Sequence, residues 1–214
     1  MNSQTPAGMV TGHNLMSFIE DLSLQDLDDL TDCTRIATAS ADMGHNRFTN
    51  SQLWFEEYAN TLDFLGWSLH EGAITTRTRT DVSGTVADYL VKSAQSMQNR
   101  QQGNAMIDTL DALKPNQPAT LSLDRESLHG RRFQIIPASY GAQNNLSIAV
   151  FHLELTVQIE RTGFLFWEWE DNLTKLVQQR AVFTLNRTKL EDRRQLLDKK
   201  IREITLPRFA LNRQ

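Results

Sequence analysis

The sequence predicts an α+β fold: an antiparallel sheet of four or five strands, helices packed mainly on one face, and a C-terminal amphipathic helix. Three patterns carry this expectation. From residue 146 to 159 the odd positions Ala149, Phe151, Leu153, Leu155, Val157 and Ile159 are apolar, and the even positions turn polar from His152 through Glu154, Thr156 and Gln158. That period of two marks a strand whose second half has one wet face. Residues 27–41 and 54–65 instead repeat apolar side chains at helical spacing. Beyond Asn186, Leu190, Leu197, Ile201 and Ile204 form one stripe, with Arg193, Arg194, Lys199 and Lys200 outside it and Pro207 ending the helix.

In chain order, residues 1–12 read as a flexible leader and 13–214 as a single domain. Leu15, Phe18, Ile19 and Leu22 have helical spacing in a short turn-rich segment, and Ser23 caps the next helix. Leu27, Leu30, Thr34, Ala37 and Ala41 line that helix, while Asp26, Asp28, Asp29 and Asp32 load its early turns, where the helix dipole favours negative charge. These aspartates read as a solvated turn rather than a metal site. Gly44 closes the helix, and Thr49 with Gln52 has capping-box spacing for the next. There Trp54, Tyr58, Leu62 and Leu65 recur on one face until Gly66, a stripe that reads as core, with a partner groove as the sharper alternative.

Residues 67–80 read as strand, broken near Gly72, with Arg77 and Arg79 guarding an edge. Ser83 caps a third helix buried through Val86, Leu90, Ala94 and Met97. Residues 95–104 read as a helix end and loop. Met106, Leu110 and Leu113 mark a short fourth helix stopped by Pro115 and Pro118. Residues 121–129 fit either a helical turn or a strand, and residues 133–136 a strand ending at Pro137.

The candidate chemistry follows from one register. Gly163 supplies the left-handed residue of a hairpin loop, and a three-residue loop sets Leu155, Val157 and Ile159 opposite Trp169, Trp167 and Leu165. A two-residue loop would face Leu155 with Glu168, and a slip of one residue turns over every side chain. In the chosen register Glu154 faces Glu170, Thr156 faces Glu168, and His152 shares their side. Like charges directly opposite require an offset, for which Arg180 on a third strand over residues 179–186 is the simplest source. His152, Glu154, Glu168, Glu170 and Arg180 thus form the speculative polar cluster. Phe166, left exposed amid polar neighbours, joins Arg193, Arg194, Lys199 and Lys200 as an interaction surface.

Composition narrows the function classes. Of 214 residues, 40% are apolar and 22% charged, and no apolar run approaches a membrane span. The leader lacks a basic and apolar signal pattern, and the single Cys33 suits a reducing compartment, so the expected location is cytoplasmic. Three N-x-S/T matches at Asn145, Asn172 and Asn186 are then chance. The scattered histidines have no zinc spacing, and no nucleophile elbow, phosphate loop or dinucleotide fingerprint occurs, so no cofactor, metal or catalytic residue is assigned.

Charge is uneven: residues 1–71 hold 11 acids and 2 bases, residues 187–214 hold 4 acids and 9 bases. The two ends either neutralise one another within a molecule or steer copies and partners together. Net acidity disfavours nucleic acid. The preferred reading is a non-enzymatic protein-interaction or self-assembly module. One alternative is a membrane-active, toxin-like or virulence-associated protein that meets lipid through residues 164–169, against which their carboxylates weigh. The other is an enzyme using the His152, Glu154, Glu168 and Glu170 face.

Overall fold

The computed structural model describes residues 8–18, 22–70, 74–79, 84–141, 144–156, 163–168 and 175–205. It is α+β, with seven helices and one seven-stranded sheet among these residues. The sheet is mixed rather than antiparallel, and larger than the four or five strands expected. The strands are β1 (Gly8–Thr11), β2 (Asn14–Phe18), β3 (Trp67–Leu69), β4 (Thr75–Arg79), β5 (Phe133–Tyr140), β6 (Leu146–Thr156) and β7 (Lys175–Leu185). They run in the order β1-β2-β5-β6-β7-β3, with β4 also pairing β7. The helices are α1 (Leu24–Gly44), α2 (Ser51–Phe64), α3 (Val86–Gln95), α4 (Arg100–Leu113), α5 (Gln117–Glu126), α6 (Arg187–Asp192) and α7 (Arg194–Thr205). Internal contacts group the chain into two compact units, residues 1–23 with 69–184 and residues 24–68 with 185–214.

In the first unit, β2 is the source of the mixed pairing. It lies parallel to β5, with Leu15 beside Ile135 and Met16 beside Ile136. The helical spacing of Leu15 and Phe18 was misleading because every residue of β2 is buried. A strand covered on both faces loses the alternation that identifies it. Gly8–Thr11, within the stretch read as leader, pairs β2 through a two-residue turn whose Gly12 has φ +59°. β5 continues through Pro137 to Tyr140, and its ladder to β6 omits Ile136 and Pro137 while keeping register on either side. Proline has no N–H to give a ladder.

One face of this sheet carries Leu15, Phe133, Ile135, Ala149, Phe151, Leu153 and Leu155. Val86, Leu90 and Ala94 of α3, Met106 and Leu110 of α4 and Leu123 of α5 join the same apolar cluster. Two of these helices depart from expectation. α4 starts at Arg100 because Asn99 caps it, accepting from the N–H groups of Gln101 and Gln102. Pro118 lies in the first turn of α5, where its missing N–H costs nothing, so it starts a helix besides following one.

The other face carries an aligned polar row. Asn14 pairs Gln134, Gln134 pairs His152 and His152 pairs Gln179 across four adjacent strands. All four are buried, at no more than 4% exposure.

The hairpin expected at Gly163 does not form. β6 pairs β7 instead, over an unbroken ladder from Ser147↔Thr184 to Thr156↔Lys175, so Leu155 faces Leu176. Phe164, Leu165 and Phe166 form a turn, and both Phe164 and Leu165 are 1% exposed. Burying two consecutive side chains in one cluster defeats the alternation a strand would impose. Asp124 at the end of α5 fixes this turn, accepting from the N–H of Gly163 and, at 3.3 Å, of Phe164. The Phe164 ring packs edge-on to Phe133 with centroids 4.8 Å apart, and lies where any side chain on Gly130 would go. Val157, Ile159, Trp169 and Glu170 lie outside the described residues.

The second unit is helical. Leu30, Cys33, Ala37 and Ala41 of α1 are buried, as are Trp54, Phe55, Tyr58 and Leu62 of α2, as their stripes predict. Tyr58 stacks on both Trp54 and Phe55, at centroid distances of 5.4 and 6.0 Å. The capping box expected from Thr49 and Gln52 does not form: Asn50 stands at the N-cap of α2 without a side-chain bond. Asn186 caps α6, accepting from the N–H of Lys189. Gly66 takes φ +109° against the backbone of Leu190, at a spacing that excludes a side chain.

Candidate functional site

The sheet separates the residues of the expected polar cluster. His152 is 1% exposed, within the buried row, and its Nδ1 lies 3.5 Å from the amide nitrogen of Gln134. Glu154 shares that face but is offset by Arg132, at 2.5 Å, rather than by Arg180. Burial, and next the neighbouring Arg131, lower the Arg132 guanidinium to about 10, so it keeps its charge at neutral pH. Arg180 pairs Phe151 across the ladder and therefore occupies the opposite, helix-covered face. Its guanidinium lies over the Phe151 ring, 5.3 Å from the centroid, and burial followed by Arg77 moves its pKa down. Glu168 is exposed in the loop after the Phe164 turn, and Glu170 is outside the described residues.

The expected interaction surface is also redistributed. Phe166 is partly buried against the apolar cluster, because the turn folds it inward. Among the described residues of that loop, Trp167, at 37%, is the exposed aromatic. With Phe164 and Leu165 buried, the described part of the segment proposed to meet lipid offers little apolar surface.

The acidic front and basic tail meet inside the second unit. Arg187 clamps Asp26 through both carboxylate oxygens, at 2.5 and 2.9 Å, and Arg194 does the same to Asp29, one contact being 3.1 Å. Asp26 and Asp29 are 2% and 3% exposed, so they are not the solvated turn that the sequence suggested. Lys189 adds a looser pair to Asp63 at 3.3 Å. Paired forks of this kind are geometrically specific. Arg194 is committed to Asp29 and Glu191, and Arg193 lies 4.5 Å over the Phe64 ring. Lys199 and Lys200 are exposed and make i,i+4 and i,i+3 contacts with Glu203.

Beside these pairs lies an apolar groove. α1 packs on both α2 and α7, and a groove of about 570 Å³ opens between the latter two. Ile36 and Met43 of α1, Phe64 at the end of α2, Leu65 just beyond it, and Leu196 and Ile204 of α7 give it an apolar lining. Met43 is 82% exposed and Phe64 is 45% exposed. Its polar margin includes Glu57 of α2, held by Ser40 at 3.0 Å, and Lys200 and Glu203 of α7. The lining spans Glu57 to Leu65 and Leu196 to Ile204, so at 1.5 Å per residue the groove runs about 12 Å along the helices. That is a little over two helical turns.

The sequence concealed this groove because Phe64 lies off the stripe of Trp54, Tyr58, Leu62 and Leu65. Three segments distant in sequence build it, and of its members only Leu65 and Ile204 were read as part of apolar stripes. Among the described residues no three His, Cys, Asp or Glu side chains are placed to hold a metal ion. No described helix is long and apolar enough to cross a membrane. No protein-family model matches the chain, and no curated protein matches its sequence.

Proposed function

We propose that this protein is a non-enzymatic interaction module that receives an apolar helix face of a partner protein in the α1–α2–α7 groove. The observation that carries the reading is the three-walled apolar trough with Met43 and Phe64 open to solvent. Helices meet by seating the ridge of one between the ridges of others, and a trough between two helices over a third is the shape a fourth completes. Helix-in-groove recognition reads apolar anchors at i, i+3 or i+4, and i+7. Two turns of lining accommodate that spacing. The setting proposed is cytoplasmic, for which the lone buried Cys33 is the support.

The test is selection from a displayed library of amphipathic helices against the wild-type protein. Winning sequences should share the i, i+4, i+7 apolar pattern and lose at least tenfold in affinity for a Met43→Glu/Phe64→Glu variant. Binders indifferent to those two substitutions, or no binders at all, would remove the reading.

A further inference from the structure

We infer that residues 206–214 of this chain, Leu-Pro-Arg-Phe-Ala-Leu-Asn-Arg-Gln, compete for the groove with the partner helix. The inference rests on the docking reading above and adds its regulation. The first support is where α7 delivers the chain. Glu203 and Ile204 line the groove, and Thr205 accepts a hydrogen bond at 3.1 Å from Arg35, next to groove-lining Ile36. The second is reach: nine residues extend up to about 30 Å, well beyond the roughly 12 Å of lining.

Complementarity is the third. Leu206, Phe209 and Leu211 are the apolar anchors such a trough takes. Arg208 and Arg213 bring two positive charges to a margin that includes Glu57. A tethered segment also has an effective concentration in the millimolar range. A local affinity about tenfold below that figure suffices to fill the groove and to weaken an untethered competitor by about tenfold.

Two measurements on the 214-residue chain test this. In the first, Met43→Cys is combined with Phe209→Cys, the protein is oxidised mildly, and the product is read on a non-reducing gel and by peptide mass. Native Cys33 is fully buried and burial pushes its thiol up to about 12, so it stays out of the exchange. The expected product is a disulfide within one chain, formed at least tenfold faster than in a Leu53→Cys/Phe209→Cys control, whose α2 position is 47% exposed but outside the groove. A bond between chains, equal rates in the two variants, or no bond would each overturn the inference.

In the second, binding of the apolar dye ANS is compared with and without residues 206–214. Deletion should raise dye affinity about tenfold, and Met43→Glu/Phe64→Glu should abolish binding in both forms. Unchanged affinity on deletion, with the groove substitutions still effective, would sink the competition while sparing the docking site. Dye binding insensitive to the groove substitutions would sink both.

Discussion

Replacing Arg194 by methionine isolates one of the buried charge pairs. The Asp29 carboxylate is 3% exposed and would keep the Gln25 amide, at 2.9 Å, as its remaining hydrogen-bond donor from a side chain. Removing one partner of a fully buried pair costs about 3–5 kcal/mol. Arg194 is a quarter exposed and Gln25 stays, so the expected loss is smaller, about 2–3 kcal/mol. With a urea dependence of about 2 kcal/mol per molar, the unfolding midpoint should fall by about 1–1.5 M. Circular dichroism in a urea series reads this directly. Repeating it in low and high salt separates a buried pair, which salt screens weakly, from a solvated one. The double variant Asp29→Leu/Arg194→Met removes the stranded charge and should recover most of the loss. A single-variant cost below about 0.5 kcal/mol, or a double variant worse than the single, would show that the pair behaves as an exposed one and refute the reasoning.

Three further outcomes are expected. Asp124→Ala leaves the Gly163 and Phe164 N–H groups without the carboxylate, for about 2–4 kcal/mol, whereas Asp124→Asn keeps one acceptor and should cost about half as much; amide exchange at Phe164 reports both, and equal effects would contradict the capping role. Burial, partly opposed by Arg35, raises the Asp32 carboxyl above its usual 3.8, so the folded state favours the protonated form and that contribution is lost as pH rises through the folded value. Asp32→Asn should therefore stabilise the protein at pH 7 and give no benefit below pH 3.8, as melting temperatures across pH will show; a benefit that grows in acid would reverse the sign. Cys33 should resist a disulfide reagent at pH 8 in the folded protein and react within seconds in urea; rapid reaction in the native state would show that the thiol is not held as described.

The legible parts of the fold were those whose pattern repeats within one element. The alternation from Ala149 to Leu155, the α2 stripe and the buried side of α3 each survive because packing on one side leaves a periodic trace. What failed depended on partners distant in the chain. Phe164 to Glu168 alternates well enough to pass for strand, but the Asp124 carboxylate, some 40 residues earlier, turns it into a knuckle. The buried aspartates looked solvated because Arg187 and Arg194 stand 161 and 165 residues away, and only the charge imbalance between the chain ends hinted at them. Arg180 was expected beside the acids of the wet face, but the true β6–β7 register sets it opposite Phe151 on the other face, and Arg132 takes its place beside Glu154. The groove is least legible because no single helix contains it.

The row formed by Asn14, Gln134, His152 and Gln179 has a consequence for assembly of the sheet. Sliding any of these strands by one position would swing its amide or imidazole into the hydrocarbon beneath α3 and α4, at about 1–3 kcal/mol for each polar group left without a bond. Four polar side chains in line therefore favour this register over its neighbours.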